Sequence, residues 1–120
     1  DAVMTANDPD ESAHRFEKFL GRAPHKISDR GWRFDLDRAS FTILNNDALT
    51  ATLPDVDIPD SPFIAAFAMR SSDLDATSAY FEQAGVLAET IAPGVLRVAK
   101  DPALGSTMIV TDATSRAPWL

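Results

Sequence analysis

The sequence has no cysteine, two histidines, one tyrosine, and eleven basic residues against eighteen acidic ones. Without cysteine there are no disulfides, no thiolate metal ligands and no cysteine nucleophile, and nothing follows about redox compartment. The resulting formal charge of -7 repels a phosphate backbone of the kind that basic proteins attract by counterion release, so no nucleic-acid partner is expected. No apolar run approaches the ~18 residues of a membrane span, and no charged-then-apolar leader is present. No membrane partner is therefore expected, and the expected location is cytoplasmic. The chain starts at Asp1, almost directly inside a strand and without an initiator Met. That start reads as processed or trimmed, as in the C-terminal part of a longer chain with a partner region upstream.

What is present is enough for one domain. At 120 residues the chain can bury roughly two thirds of the surface its unfolded form exposes, so it can fold without staples. It also repeats itself. Residues 2–21, AVMTANDPDESAHRFEKFLG, and residues 65–85, AAFAMRSSDLDATSAYFEQAG, each hold a short apolar run, a polar cap, one amphipathic helix and a terminal Gly. At an offset of sixty-four, Asp8 meets Ser72, Ala13 meets Thr77, Phe16 meets Tyr80, Leu20 meets Ala84 and Gly21 meets Gly85. Asp8 can accept from the free amides of the first helical turn, Pro9 suits the first helical position, and Glu11 stands where a capping box needs it. Ser72 with Asp75 offers a weaker version, and both glycines can close their helices in the left-handed conformation. A repeated supersecondary unit predicts a fold that pairs two similar halves with helices of equal length.

Taken in order, residues 3–5 read as a strand and residues 9–20 as a helix, with Ala13, Phe16, Phe19 and Leu20 on its buried side and Glu11, Arg15, Glu17 and Lys18 on its wet side. A weak edge strand follows at 25–28, then a turn at 29–31. From Trp32 the period changes to two, with Trp32, Phe34 and Leu36 on one face and Arg33, Asp35 and Asp37 on the other. A turn at 37–39 returns the chain into a strand at 41–44. Residues 45–62 behave as a linker: a short helix at 47–53 capped by Asn46, then an acidic, proline-stiffened and solvated connector. Residues 63–69 form a nearly continuous apolar strand, expected to be central and covered on both faces. The second helix is expected at 73–84, a strand at 86–90, and a turn at 92–94 that places Gly94 where Gly31 sits. Strands at 95–99 and 107–111 follow, joined by a longer hairpin loop at 100–104. The boundaries are module one about 1–45, linker 46–62, module two 63–112 and a tail 113–120, forming a single domain over residues 1–120.

This tandem arrangement resembles the vicinal oxygen chelate superfamily, which holds the glyoxalases, bleomycin-resistance proteins and extradiol dioxygenases. The resemblance rests on residues 67–76, FAMRSSDLDA, similar to that family's first strand and "D-L-x-A" helix start, and on Tyr80-Phe81 and Gly85-Val86 at the helix end. Arg15-Phe16 followed by Phe19-Leu20-Gly21-Arg22 is similar to the helix end of glyoxalase-like proteins. It spans residues 1 to about 112. It implies an α+β fold of two tandem β-α-β-β-β modules forming facing curved mixed sheets, with the helices outside. It also implies a cleft in which His or Gln on a module's first strand and Glu on its last strand hold a divalent ion that chelates two substrate oxygens. Carried across, those positions fall near Asp1 and near Ile64 or Ala65 on the first strands, and near Thr42 or Ile43 and Met108 or Ile109 on the last. Only Asp1 offers a ligand atom of the required kind. This departure argues against isomerase or dioxygenase chemistry by this chain's own residues, and no metal site and no cofactor are expected.

The remaining candidates are few. His14, on the wet side of a helix, and His25, in an edge strand, read as surface histidines without visible carboxylate company. Arg33 and Arg97 lie on the third strand of their modules, which lines the trough in the resembled fold, and alternation puts Arg33 and Asp35 on the face away from the helix. Two readings are open for Arg33, Asp35 and Arg97: ligand-binding residues that fork onto a carboxylate or phosphate, or cross-strand surface ion pairs. Trp32 and Tyr80 read as core, whereas the terminal Trp119 reads as a contact with a neighbouring chain or an upstream domain. Ser40 and Ser106 lack the partners of a nucleophile. The expected function is a glyoxalase-like domain without its own metal site, binding a small ligand or serving as a scaffolding half of a larger protein or homodimer. The competing reading is a metal-dependent lyase, isomerase or dioxygenase whose ligands come from an upstream region or a second chain. A ferredoxin-like regulatory domain is the third, if the strands near His25 and Val86 do not form.

Overall fold

The computed structural model describes residues 1–27, 29, 31–99 and 105–120. Its elements run β1 (Ala2–Thr5), α1 (Pro9–Leu20), β2 (His25–Lys26), β3 (Gly31–Asp35), β4 (Ser40–Leu44), α2 (Asn46–Thr52), β5 (Phe63–Arg70), α3 (Leu74–Gln83), β6 (Ala88–Ala92), β7 (Val95–Val98) and β8 (Thr107–Thr111). The α+β class and the two tandem β-α-β-β-β modules are as read from the sequence, and both short strands near His25 and Val86 form. The expected strand end at Ser28, the Arg30 position of the turn and the hairpin loop at 100–104 lie outside the described residues. The chain forms two compact units, residues 1–65 with Trp119, and residues 66–118 with Leu120.

In the first unit the strand order is β2-β3-β4-β1. β1 runs parallel to β4, which a crossover through α1 permits, whereas β2, β3 and β4 are antiparallel neighbours. The core lies between this sheet and α1. Met4, Ala6, Ala13, Phe34 and Ile43 form its buried centre, with Phe16, Leu20, Trp32, Leu36 and Phe41 packed around it. Phe16 meets Phe41 at 4.8 Å and Phe34 at 6.5 Å between ring centroids, the latter edge-on, so the aromatic contacts add to area burial. Phe19 departs from the expected buried side and is 83% exposed. At about 100° per residue it falls on the edge of the Ala13–Phe16–Leu20 arc, rotated away from the sheet.

Local chemistry explains the element ends. Asp8 caps α1, its Oδ1 accepting from the Glu11 amide at 2.9 Å, and the Glu11 carboxylate pairs with Arg15 Nε at 2.5 Å. Gly31 must be glycine. Its φ is +132, and a Cβ there would run into the backbone carbonyl of Ile43 on the neighbouring strand. The linker helix begins one residue early, because Asn45 is the cap that accepts from the Ala48 amide at 2.8 Å. Asn46, the expected cap, instead accepts from the Thr5 hydroxyl. Leu49 and Leu53 are fully buried, so this part of the linker is packed, while Asp55, Asp57 and Asp60 beyond it are exposed.

The second unit repeats the order as β5-β8-β7-β6, again with a parallel first pair and antiparallel remainder. Asp73, not Ser72, caps α3, accepting from the Ala76 amide at 2.9 Å. A carboxylate at the positive end of a helix is the better acceptor. The helix is ten residues long against twelve for α1, so the equal-length expectation fails. It ends where Gly85 takes φ +70 and the Val86 amide donates back to the Phe81 carbonyl at 2.8 Å. That turn consumes Val86 and Leu87, and the next strand starts at Ala88 instead of Val86. β5 is buried at Ala65 and Ala66 but exposed at Ile64 and Met69, so it is not covered along its whole length. α3 buries none of its residues, and Tyr80, expected in the core, is 68% exposed.

Candidate functional site

Strand register decides which side chains meet on the sheet faces turned away from the helices. In the first module His25 is opposite Arg33, Arg33 opposite Thr42 and Thr42 opposite Val3. These four make one row across the sheet, on the opposite face from Phe34 and Ile43. Two residues along, Asp35 is opposite Ser40. Arg33 and Asp35 therefore share a face, as alternation predicts. The row is buried at Thr42 and Val3 and opens toward the edge, where the His25 side chain is exposed.

Asp35 sits between the side chains of Arg33 and His25. Its Oδ1 is 3.1 Å from Arg33 Nε and its Oδ2 is 3.5 Å from His25 Nδ1. Sequence reasoning set His25 aside for lack of carboxylate company; the β2–β3 register supplies that company. The Arg33 contact is an ion pair by distance only, because Nε is buried and its N–H makes no hydrogen bond. Thr42 Oγ1, across from it, is likewise buried without a partner. The rest of this face is satisfied: Ser40 donates to Asp1 Oδ1 through its amide at 2.8 Å and its hydroxyl at 2.7 Å. In the sequence Thr42 stands out only as lying near the last-strand metal position of the resembled superfamily, and nothing short of the register identifies it as the neighbour of Arg33.

The second module presents the same place with different chemistry. Arg97 is opposite Ile109, and Ile109 opposite Ala68, while Glu89 faces Arg97 from β6. Val95 stands opposite Thr111 as Gly31 stands opposite Leu44. Gly94 is thus one place short of the position expected for it, and Arg33 and Arg97 are true equivalents. Arg97 donates to Glu89 Oε2 at 2.6 Å, a cross-strand ion pair of the kind weighed from the sequence. Gly94 serves another purpose. With φ +73, it leaves room for Asp112 and Ser115 of the tail, which a Cβ would strike.

The positions carried over for a metal do not supply a donor set. Thr42 and Ile109, equivalent places on β4 and β8, carry no imidazole or carboxylate, and Asp1 is engaged by Ser40. Among the described residues no three His, Cys, Asp or Glu side chains gather closely enough to hold an ion. These residues do not fit a divalent metal. Two surface pockets lie elsewhere on the first unit. One of about 440 Å³ is bordered by Met4, Phe16, Arg15 and Pro62, and one of about 280 Å³ by Asp8, Asp10, Lys26 and Asn45. Asp10 beside the latter is held below the ordinary carboxylate range, first by the Trp32 indole N–H and then by Lys26. That network pins α1 to β3.

The expected contact of Trp119 with another chain is corrected: it is 6% exposed within this chain, and its indole N–H is buried without a partner. No described helix is long and apolar enough to cross a membrane.

No protein-family model matches the sequence, and no curated protein matches it. Solved structures do. A variant of Streptomyces coelicolor methylmalonyl-CoA epimerase in complex with 2-nitronate-propionyl-CoA superposes with a TM-score of 0.61 at 10% identity, covering 95% of both chains. The Mycobacterium tuberculosis methylmalonyl-CoA epimerase gives 0.58 at 16% identity over 95% of this chain and 86% of its own. A methylmalonyl-CoA epimerase in complex with methylmalonyl-CoA and NH4+ gives 0.57 at 12% identity, over 95% and 92%. At these identities the likeness is one of backbone, and with the duplicated strand order it establishes that the chain has the vicinal oxygen chelate fold.

Proposed function

We propose that this glyoxalase-like domain binds a small carboxylate-bearing or otherwise anionic molecule and does so without a metal ion of its own. The observation that carries the reading is the adjacent pair of buried polar atoms that make no hydrogen bond, Arg33 Nε, with the Asp35 carboxylate 3.1 Å away, and Thr42 Oγ1. Buried donors left unmade cost about 1–3 kcal/mol each, and a bound ligand that accepts from them removes that cost. Arginine suits this task because its planar fork matches a carboxylate and is always charged. Asp35 lies beside the guanidinium, 3.1 Å from Nε, whereas in the second module the equivalent Arg97 is paired with Glu89. Structural neighbours that hold 2-nitronate-propionyl-CoA and methylmalonyl-CoA support coenzyme A thioesters as one class of ligand.

Thermal-shift and calorimetric titration with a panel of small mono- and dicarboxylates and their coenzyme A thioesters tests this. Wild-type protein is expected to bind at least one member, with affinity unchanged by EDTA. Arg33→Met, which keeps the aliphatic stem, is expected to lose that binding while shifting stability by no more than about 1 kcal/mol. Binding undiminished in Arg33→Met removes Arg33 from the site. A divalent ion retained at one per chain after dialysis would instead favour a metal-dependent enzyme.

A further inference from the structure

The cavity of about 440 Å³ beside α1 is a different place from the Arg33 row. Met4, which borders it, lies on the sheet face that packs against α1, whereas Arg33 lies on the opposite face of the same sheet. Its floor is apolar: Met4 and Ala6 are 6% and 2% exposed, and the Phe16 ring and Pro62 complete it. Asp8, Ser12 and Phe16 recur every four residues, so they stand along one side of α1, and Ser61 borders the cavity from the end of the connector. A concave, mostly apolar space of this size with a few polar groups at its rim is the usual form of a small-molecule site.

The rim has hydrogen-bonding capacity that the chain does not use. The Ser61 hydroxyl is buried and makes no hydrogen bond. Among the described residues the side chains of Asn7 and Ser12 make none either, and Asp8 commits only Oδ1, to the Glu11 amide. Arg15 is the one cation bordering the cavity, and it is already paired with Glu11 at 2.5 Å. The Asp8 carboxylate therefore sets the sign of the rim, which is negative. The positive end of α1 does not reverse it, because Asp8, Asp10 and Glu11 already meet that end. We propose that this cavity binds a small primary amine with an apolar body. The ammonium has three donors, and Asp8 Oδ2, the Asn7 side-chain oxygen and the Ser12 hydroxyl are three acceptors for them. The apolar body covers Met4, Phe16 and Pro62. A carboxylate of the same shape would lie against the Asp8 and Glu11 carboxylates, and an alcohol would lose the charge-assisted hydrogen bond.

The test is titration of the 120-residue chain with tryptamine, followed by calorimetry and by amide chemical shifts, with indole-3-acetate as the acid of the same aromatic body. Tryptamine is expected to bind at least about tenfold more tightly than the acid and to move the amide signals of Ala6, Ser12, Phe16 and Ser61. Asp8→Asn removes the charge and keeps the helix cap, since asparagine caps as well as aspartate. It is expected to weaken tryptamine by about tenfold, with little change in circular-dichroism melting. Ser12→Leu fills the cavity and is expected to abolish the binding. Tryptamine that fails to bind the wild type overturns the proposal. So does equal binding of the acid, an affinity indifferent to Asp8→Asn, or shifts confined to the neighbourhood of Arg33 and Thr42.

Discussion

Asp112 shows how much one half-buried side chain can organise. It receives the Thr114 amide at 2.8 Å, the Ser115 amide at 2.7 Å and the Thr114 hydroxyl at 3.0 Å, where the tail leaves β8. These donors, the Thr114 amide first, favour the ionised form and hold its pKa down from 3.8 to about 2. A carboxylate whose folded pKa lies below its unfolded value stabilises the fold above the unfolded value, and that contribution is lost as pH falls through the folded one. Melting temperatures of wild type and Asp112→Asn should therefore converge as pH drops from about 4 to about 2, with the wild type the more stable at neutral pH. A gap that stays constant over that range would show that the titration of Asp112 contributes nothing. At this scale the sequence was partly legible. Arg33 and Asp35 share a face because strands alternate, and no knowledge of partners is needed to say so. His25 and Thr42 join them only through pairing register, which alternation within one strand cannot supply.

Among elements, the two helices are capped alike by an aspartate, but at places in the repeat that a single offset does not align. α1 starts from Asp8 as its letters suggest, whereas α3 starts from Asp73, with the neighbouring Ser71 hydroxyl holding Thr77 at 2.7 Å. Asp73→Ala should cost about 1 kcal/mol in urea unfolding, the usual loss for an N-cap, while Ser72→Ala should stay within about 0.5 kcal/mol. The reverse ranking would restore Ser72 as the cap. Counting the repeat at one fixed offset hid this difference, because the first strands and the caps are sixty-five apart (Val3 and Ala68, Asp8 and Asp73), the closing glycines sixty-four and the last strands sixty-seven (Thr42 and Ile109). The helix ends were more legible than the starts: Gly21 and Gly85 both adopt the left-handed conformation, which glycine enters without the steric penalty other residues meet.

Across the whole chain, the stretch between the modules contributes to the core of the first unit. Leu49 lies on α2 and is completely buried, as is Leu53 just past its end. Leu49→Ala should destabilise the protein by roughly 2–5 kcal/mol, through lost burial and the cavity left behind. A loss below about 0.5 kcal/mol, the size expected for a solvated surface residue, would return α2 to the status of a linker. Trp119 makes the same point from the other end of the chain, since it is buried and counts with the first unit although it is the penultimate residue.

The sequence by itself determined the class, the duplication and most strand and helix positions, because these follow from local properties: apolar period, caps, and glycines where φ must be positive. It also determined that the metal positions of the resembled superfamily hold no His, Gln or Glu. Tertiary structure decided what depends on long-range pairing. It set Arg33 beside Thr42 and Arg97 opposite Ile109, drew Leu49 and Trp119 inside, and left Phe19 and Tyr80 outside. The reason is that burial is a property of what a neighbouring segment covers, and no single segment's letters contain the identity of its neighbour.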